Sequence, residues 1–385
     1  MGSPPVVLGF DFGGTKIATA VCDLMGNRLA SATVSTGTAT VSTGTATVST
    51  GTAPGSTIPG STIPGSTTPG STGTARGVPQ QPGERSAHAI FERGIRAARD
   101  LLATAAPGSQ PAAVGAATFG IPFEDRVELA PAIDGWESLA LGRELRAAFD
   151  GAEIRMATDA KAAATAEARW GSLQGCDPGV YLNLGTGLAA AIVTGGQVVT
   201  GANGAAGEIG YNLRAVADIG LSLTQRVHLE DMVSGQALAR RAAASHPDRP
   251  MTAADVFEAG PGDPGLDELL TSFVTELGFH LVNLTICIDP VRIAVGGGMV
   301  RSWERIRPQL ERALSAGVPY PPELVVARFP YDAPLIGAVA LAADAARGRD
   351  EVTRTQDTKF QESRTQQSTT QDTTTQHTTT QDSMA

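Results

Sequence analysis

Cysteine is scarce in this chain of 385 residues, and Cys22, Cys176 and Cys287 are too few and too scattered to form a disulfide framework. Long apolar runs are missing too: no stretch of about 18 apolar residues is there to span a bilayer. The start, Met1-Gly2-Ser3-Pro4-Pro5, lacks the basic end and apolar core of a signal peptide, and a strand beginning at Val6 argues against reading Met1-Gly2 as a myristoylation signal. Positive charge is in deficit. A formal net charge of −10 disfavours nucleic acid as a partner, because a surface that tracks phosphates is ordinarily basic. Together these absences lead us to expect a cytoplasmic chain with neither membrane nor nucleic acid as a partner. Hydrophobic residues make up 42% of the chain, enough for a sizeable core, and the length suits two ordinary domains.

Two segments are set aside before any fold argument. Thr33-Val-Ser-Thr-Gly-Thr-Ala39 recurs at 40–46 and 47–53, and Pro-Gly-Ser-Thr-Ile then recurs from Pro54 and Pro59 and drifts onward. Such short periods of small polar residues cannot fill a solenoid core, so 35–83 is expected to be a flexible insert on a surface loop. The stretch 349–385 is a Thr/Gln/Asp-rich tail with no helical or strand period, and disorder is expected there.

The most informative stretch is Gly9-Phe-Asp-Phe-Gly-Gly-Thr-Lys16, where an apolar run ends in a carboxylate and a glycine turn. Gly13 and Gly14 let backbone N–H groups approach an anion, Thr15 adds a hydroxyl, and Asp11 stands where it could hold Mg²⁺. The same residues also read as a plain hairpin, with Lys16 beginning the return strand. A second corner of this kind occurs at Tyr181-Leu-Asn-Leu-Gly-Thr-Gly187, contributing Gly185, Thr186 and Gly187. A third, Gly296-Gly297-Gly298, follows an apolar strand at Val291–Val295 and offers bare backbone to a flat apolar ring. Three strand-to-glycine corners suggest one bound nucleotide.

Between these corners, strands and helices alternate. Helices are expected at Arg85–Ala106, Trp136–Phe149, Lys161–Trp170, Leu266–Ile288, Trp303–Ala316 and Pro334–Arg347, and strands at Ala112–Thr118 and Ile154–Ala157, a pattern of α/β layers. Asp159, just before a helix, reads on its own as an N-cap, a role Thr158 could fill equally well.

These residues resemble the ROK-family sugar kinases of the glucokinase and aminohexose kinase type. The resemblance extends through Gly115–Gly120, Ala157-Thr-Asp-Ala160, Gly207-Glu-Ile-Gly210, Ser234-Gly235 and Leu335-Ile-Gly-Ala338. It implies a two-domain actin/hexokinase/Hsp70 ATPase-like α/β fold, made of ribonuclease H-like domains around a nucleotide cleft. The domains expected are 1–114, 115–333, and a helix at 334–348 returning to the first. It further implies ATP and Mg²⁺ as cofactors, a sugar substrate, Asp159 as the base that receives the proton of the 6-hydroxyl, domain closure that excludes water, and a possible homodimer. Substrate-binding positions carried over are Thr158, Asp159, Glu208, Tyr211, Glu230 and Gly120. Thr158 stands where the family has Asn, Lys161 replaces a second Asn, Phe119 replaces a Pro, and Tyr211 replaces a His. The family's zinc pattern falls on Leu221-Ser-Leu-Thr-Gln-Arg-Val-His-Leu-Glu230, where Leu221, Leu223 and His228 replace three thiolates. No structural zinc is therefore expected, and packing of Leu221, Leu223 and Val227 is expected to hold the loop instead. Asp159, Glu208 and Glu230 leave three carboxylates around the sugar. That places aminohexoses such as kanosamine (3-amino-3-deoxyglucose) level with glucose; a Lys161 ammonium pointing into the pocket would count mildly against them, and one facing solvent would not. A non-catalytic ROK-type sugar-binding regulator is the rival reading; a ROK repressor would need a DNA-reading segment ahead of Asp11.

Overall fold

The computed structural model describes residues 4–37, 86–259 and 262–348. Most of the expected insert at 35–83 and all of the tail at 349–385 lie outside the described residues.

Two five-stranded sheets carry the fold. The first is built from β1 (Val6–Phe12), β2 (Lys16–Asp23), β3 (Arg28–Ser35), β4 (Pro111–Thr118) and β7 (Glu153–Thr158), in the order β3-β2-β1-β4-β7. A small hairpin of β5 (Ile121–Pro122) and β6 (Val127–Glu128) lies between the last two. The second sheet uses β8 (Gly179–Leu184), β9 (Leu188–Thr194), β10 (Gln197–Val198), β11 (Arg292–Gly296) and β12 (Glu323–Val326), in the order β10-β9-β8-β11-β12. In each sheet the first three strands form an antiparallel meander, and the last two join in parallel.

Helices cover both faces of the first sheet, so β1 is apolar throughout. Val6, Leu8, Phe10 and Phe12 point toward α1 (Ala87–Ala105), where they meet Phe91 and Ile95, and Val7 points the other way. On that second face lies α8, the helix over residues 333–348, packed through Leu335, Val339 and Ala342 against Val7, Ala18 and Ala113. The approach is close enough to require glycine in the sheet, since a Cβ at Gly115 would lie 1.9 Å from the Ala338 carbonyl oxygen. Helix α8 thus lies against the first sheet.

A reciprocal arrangement holds at the other sheet. Helix α3 (Asp159–Trp170) follows β7 of the first sheet but packs on the second, its Ala163 and Ala164 clustering with Tyr181, Ala191 and Ala294. Each half thus sends its last helix to the other half's sheet. The two travelling helices meet where a Cβ on Gly337 would lie 1.7 Å from the Ala162 carbonyl oxygen.

Three expectations need correction. The boundary at 114/115 falls inside β4, because the first sheet is completed only by β7, which ends at Thr158. The helix expected over Trp136–Phe149 is two pieces, a 3₁₀ turn at Trp136–Ser138 and α2 (Leu141–Ala148), because Leu139 adopts extended backbone between them. The insert begins later than residue 35: Ser35 ends β3, and Thr36 donates its N–H to the Thr15 carbonyl at 3.1 Å.

The second half also contains α4 (Gly235–Ser245), α5 (Ala253–Ala259), α6 (Pro264–Ile288) and α7 (Trp303–Gly317). By length and composition alone α6 could cross a membrane, which the sequence reading did not foresee; its Phe273, Leu277 and Leu281 are buried in the core of the second half.

Candidate active site

The first glycine corner is both things the sequence allowed, a β1–β2 hairpin and an open backbone loop. Gly13 N–H bonds the Lys16 carbonyl at 3.0 Å, Lys16 begins β2, and Gly14, Thr15 and Lys16 are exposed. Thr36 braces the loop, donating Oγ1–H to the Gly14 carbonyl at 2.9 Å. At its root, Asp11 receives no hydrogen bond among the described residues. Burial pushes its carboxyl up to about 7; Asp159 and Asp332 push the same way, against the pull of Lys16. Asp332, held at 3.2 Å by Arg28, was not expected from the sequence, since no local pattern ties it to β1. A carboxylate this poorly satisfied suits a divalent cation.

The second corner is less open. Gly185 is buried, its carbonyl accepting the Gly235 N–H at 2.8 Å, whereas Thr186 is exposed. A Cβ on Gly187 would lie 2.5 Å from Glu230 Oε2. At the third corner the glycines have different reasons. Side chains at Gly296 and Gly297 would strike the Tyr181 hydroxyl at 2.2 Å and the Leu184 carbonyl at 2.4 Å, whereas a Cβ at Gly298 meets nothing within 4 Å. Packing therefore demands the first two, and only Gly298 offers exposed, unobstructed backbone. Across the three corners, exposed backbone or hydroxyl is offered by Gly14, Thr15, Thr186 and Gly298.

Asp159 is the first residue of α3 and not its cap. Thr158 fills that role, accepting the Lys161 N–H at 3.4 Å, and it is buried, so its hydroxyl is committed to the helix. Asp159 Oδ1 accepts the N–H of Ala160 at 2.7 Å, and Oδ2 has no hydrogen bond among the described residues. Burial pushes the carboxyl up to about 6. The Ala160 N–H opposes this, Glu208 and Glu230 add to it, and Lys161 pulls back.

Lys161, whose direction the sequence leaves open, turns inward. Its side chain is 4% exposed, and Nζ donates to Glu208 Oε1 at 3.0 Å, so the ammonium stands inside the group of carboxylates and not in solvent. The pocket is not an uncompensated acidic site. Glu208 precedes the 3₁₀ turn Ile209–Tyr211, and burial followed by Glu230 and Glu208 pushes the Tyr211 hydroxyl upward, which ties it to the same cluster. Glu230 is exposed, yet enough protein surrounds it for burial to push its carboxyl up. One of its oxygens is already used, accepting the Leu188 N–H at 2.7 Å. Gly120 (φ +77°) is a turn glycine, where a Cβ would lie 2.6 Å from the Glu128 carbonyl.

Apart from Leu229, which is buried in the core of the second half, the loop at 211–230 is not held by apolar packing. Leu221, Leu223 and Val227 are exposed, and polar ties replace them: Arg226 donates to the Tyr211 carbonyl at 2.6 Å, His228 Nε2 lies 2.8 Å from the Leu223 carbonyl, and the Tyr211 and His228 rings meet edge-on. Among the described residues no three His, Cys, Asp or Glu side chains form a metal-sized group.

Comparison with known proteins gives three kinds of likeness. A model of the ROK family matches residues 84–345. The bifunctional enzyme NanE/NanK of Brucella melitensis is 34% identical over 53% of this chain, although the match spans only 38% of that protein's length. Kanosamine kinase of Amycolatopsis mediterranei is 28% identical over 63% of this chain and 80% of its own. Among solved structures, a ROK family glucokinase from Streptomyces griseus in complex with glucose and AMPPNP aligns over 88% of this chain and 99% of its own, with TM-score 0.62 and 27% identity. The fold is thus the two-domain actin/hexokinase ATPase-like architecture.

Proposed function

The chain belongs to the ROK family, and from that premise we propose that it is an ATP-dependent carbohydrate kinase, carrying the γ-phosphoryl group to the 6-hydroxyl of glucose or an aminoglucose such as kanosamine. The observation that carries this reading is Asp159: a buried carboxylate with one oxygen fixed by a backbone N–H, the other unpartnered, coupled electrostatically to Asp11 at the first glycine corner.

In this reading Asp159 Oδ2 orients the 6-hydroxyl and takes its proton as the new phosphorus–oxygen bond forms. The backbone of Gly13–Thr15 and the Thr186 hydroxyl bind phosphate oxygens, and Gly298 leaves room for the adenine face. Asp11 would hold Mg²⁺, which supplies charge neutralisation and phosphate orientation. Glu208 and Tyr211 face the sugar, and Glu230 ties the second corner to that wall through Leu188. Closure of the two halves excludes water as a competing acceptor. A homodimer is proposed on family grounds, to be tested by light scattering in solution.

The experiment is a coupled ADP-release assay with ATP and Mg²⁺ across glucose, mannose, glucosamine, N-acetylglucosamine and kanosamine, with Asp159→Asn as control. Turnover on one sugar that vanishes in the variant supports the kinase. Sugar binding without turnover on any of them would favour the non-catalytic regulator, a reading that the open Asp159 oxygen speaks against.

A further inference from the structure

We propose that Lys161 is the specificity-determining residue of the sugar pocket: paired with Glu208, it admits a hydroxyl at the ring position facing that carboxylate and rejects a free, protonated amine there. This rests on the kinase reading above and decides between its two substrate classes.

The argument is one of donors and acceptors. Lys161 Nζ and Glu208 Oε1 are 3.0 Å apart in a site where the lysine side chain is 4% exposed, and neither group has a second hydrogen bond among the described residues. An ammonium has three donors and no acceptor, and a carboxylate has acceptors only, so after their mutual bond the pair leaves two donors and the free carboxylate acceptor sites side by side. A hydroxyl serves both kinds at once, accepting from Nζ and donating to the carboxylate. A protonated sugar amine can only donate. It would leave the Lys161 donors unmatched and set a second positive charge beside a desolvated ammonium, where screening is weak. An acylated amine is neutral and carries a carbonyl acceptor, so it escapes this exclusion.

The choice of residue supports the point. Of the 29 lysines and arginines in the chain only three are lysine, at 16, 161 and 359, so the cations are overwhelmingly arginine. A compact ammonium on a four-carbon stem fits between α3 and Glu208 without the fork of a guanidinium, and it directs its remaining donors at a small polar group. The residues beside Lys161 in the helix, Ala160, Ala162, Ala163 and Ala164, are buried alanines, so the ammonium is the one cation on this stretch of α3.

The test measures kcat/KM for glucose, glucosamine, kanosamine and N-acetylglucosamine with the full chain and with Lys161→Asn and Lys161→Met. The unsubstituted protein should favour glucose over whichever amino sugar places its amine against Glu208 by about 10-fold or more. Both variants should narrow that ratio at least 10-fold, chiefly by gaining on the amino sugar. Calorimetric binding of the same sugars, with circular dichroism to establish folding, reads the same ratios without turnover. If the kinase reading fails, turnover is absent while the binding ratio still tests Lys161. If a variant does not fold, Lys161→Met combined with Glu208→Gln removes both charges, and it too should lose the discrimination. A ratio unmoved in a folded variant, or an unsubstituted protein that prefers the free amine at both positions, overturns the proposal.

Discussion

The two halves of the molecule share a strand order and differ at a single strategic side chain. In the first sheet the strand entering the glycine corner carries Asp11 two residues before Gly13; in the second it carries Asn183 two residues before Gly185. The backbone frame is repeated, but one copy presents a charge and the other a neutral amide. The surroundings follow suit. The Asp11 corner is exposed and braced by Thr36 alone, whereas the Asn183 corner is tied to α4 through the Gly235 N–H and to Glu230 through Leu188. A repeated fold thus provides two glycine turns, and only one of them carries a carboxylate at its root.

The largest effect should come from Asp159→Asn, which keeps the shape of the site and removes the proton acceptor. A loss of about 10²–10⁴-fold in kcat is expected. Stability should move the other way. The folded carboxyl titrates near 6 against an ordinary 3.8, so between those values the folded state binds more protons than the unfolded one and stability falls as pH rises. Above pH 6 the variant should therefore be more stable than the parent by about 1–3 kcal/mol, measured by urea unfolding. By the same sign, kcat/KM of the parent should decline as pH drops below about 6.

Making the two corners alike comes next. Asp11→Asn copies the second half into the first and should cost about 10²-fold in kcat/KM with little change in sugar affinity. An Asp11→Asn protein with full activity would show that the charge difference between the halves is incidental. The helix exchange is probed by Gly337→Ala, whose new methyl would overlap the Ala162 carbonyl; destabilisation of about 3 kcal/mol or more is expected. The smallest effects separate the glycines of the third corner. Gly296→Ala should lose about 1–3 kcal/mol of stability against Tyr181. Gly298→Ala should leave unfolding within about 0.5 kcal/mol and weaken nucleotide binding instead.

The sequence reveals the corners because each combines an apolar strand with glycine, two signals that point the same way. It does not reveal the direction of Lys161. Helix α3 touches both halves and is buried on nearly every side, so its alanines leave no polar stripe from which to phase a lysine. The break at Leu139 is hidden for a related reason: neither Gly nor Pro marks it, and the apolar period runs straight across. The loop at 211–230 misleads through composition, since Leu221, Leu223 and Val227 suggest a small core but no element among the described residues covers them. Nor could local spacing show that each half's last helix lies on the other half's sheet; that depends on contacts between residues far apart in the chain.

The meeting of Ala162 and Gly337 has a mechanical consequence. Two helices meeting through backbone at one point, with mainly small side chains (Ala117, Ala162, Ala338) packed beside it, offer little side-chain interlock against rotation, and Asp159 lies three residues along α3 from the contact, a lever arm of about 4.5 Å at 1.5 Å per residue. A 10° turn about that point, of the order seen in domain rotations, moves the carboxylate by only about 0.8 Å, whereas a pocket wall ~20 Å away sweeps about 3.5 Å. In the proposed kinase reaction the base would thus sit near the axle, and the closing surfaces at the rim.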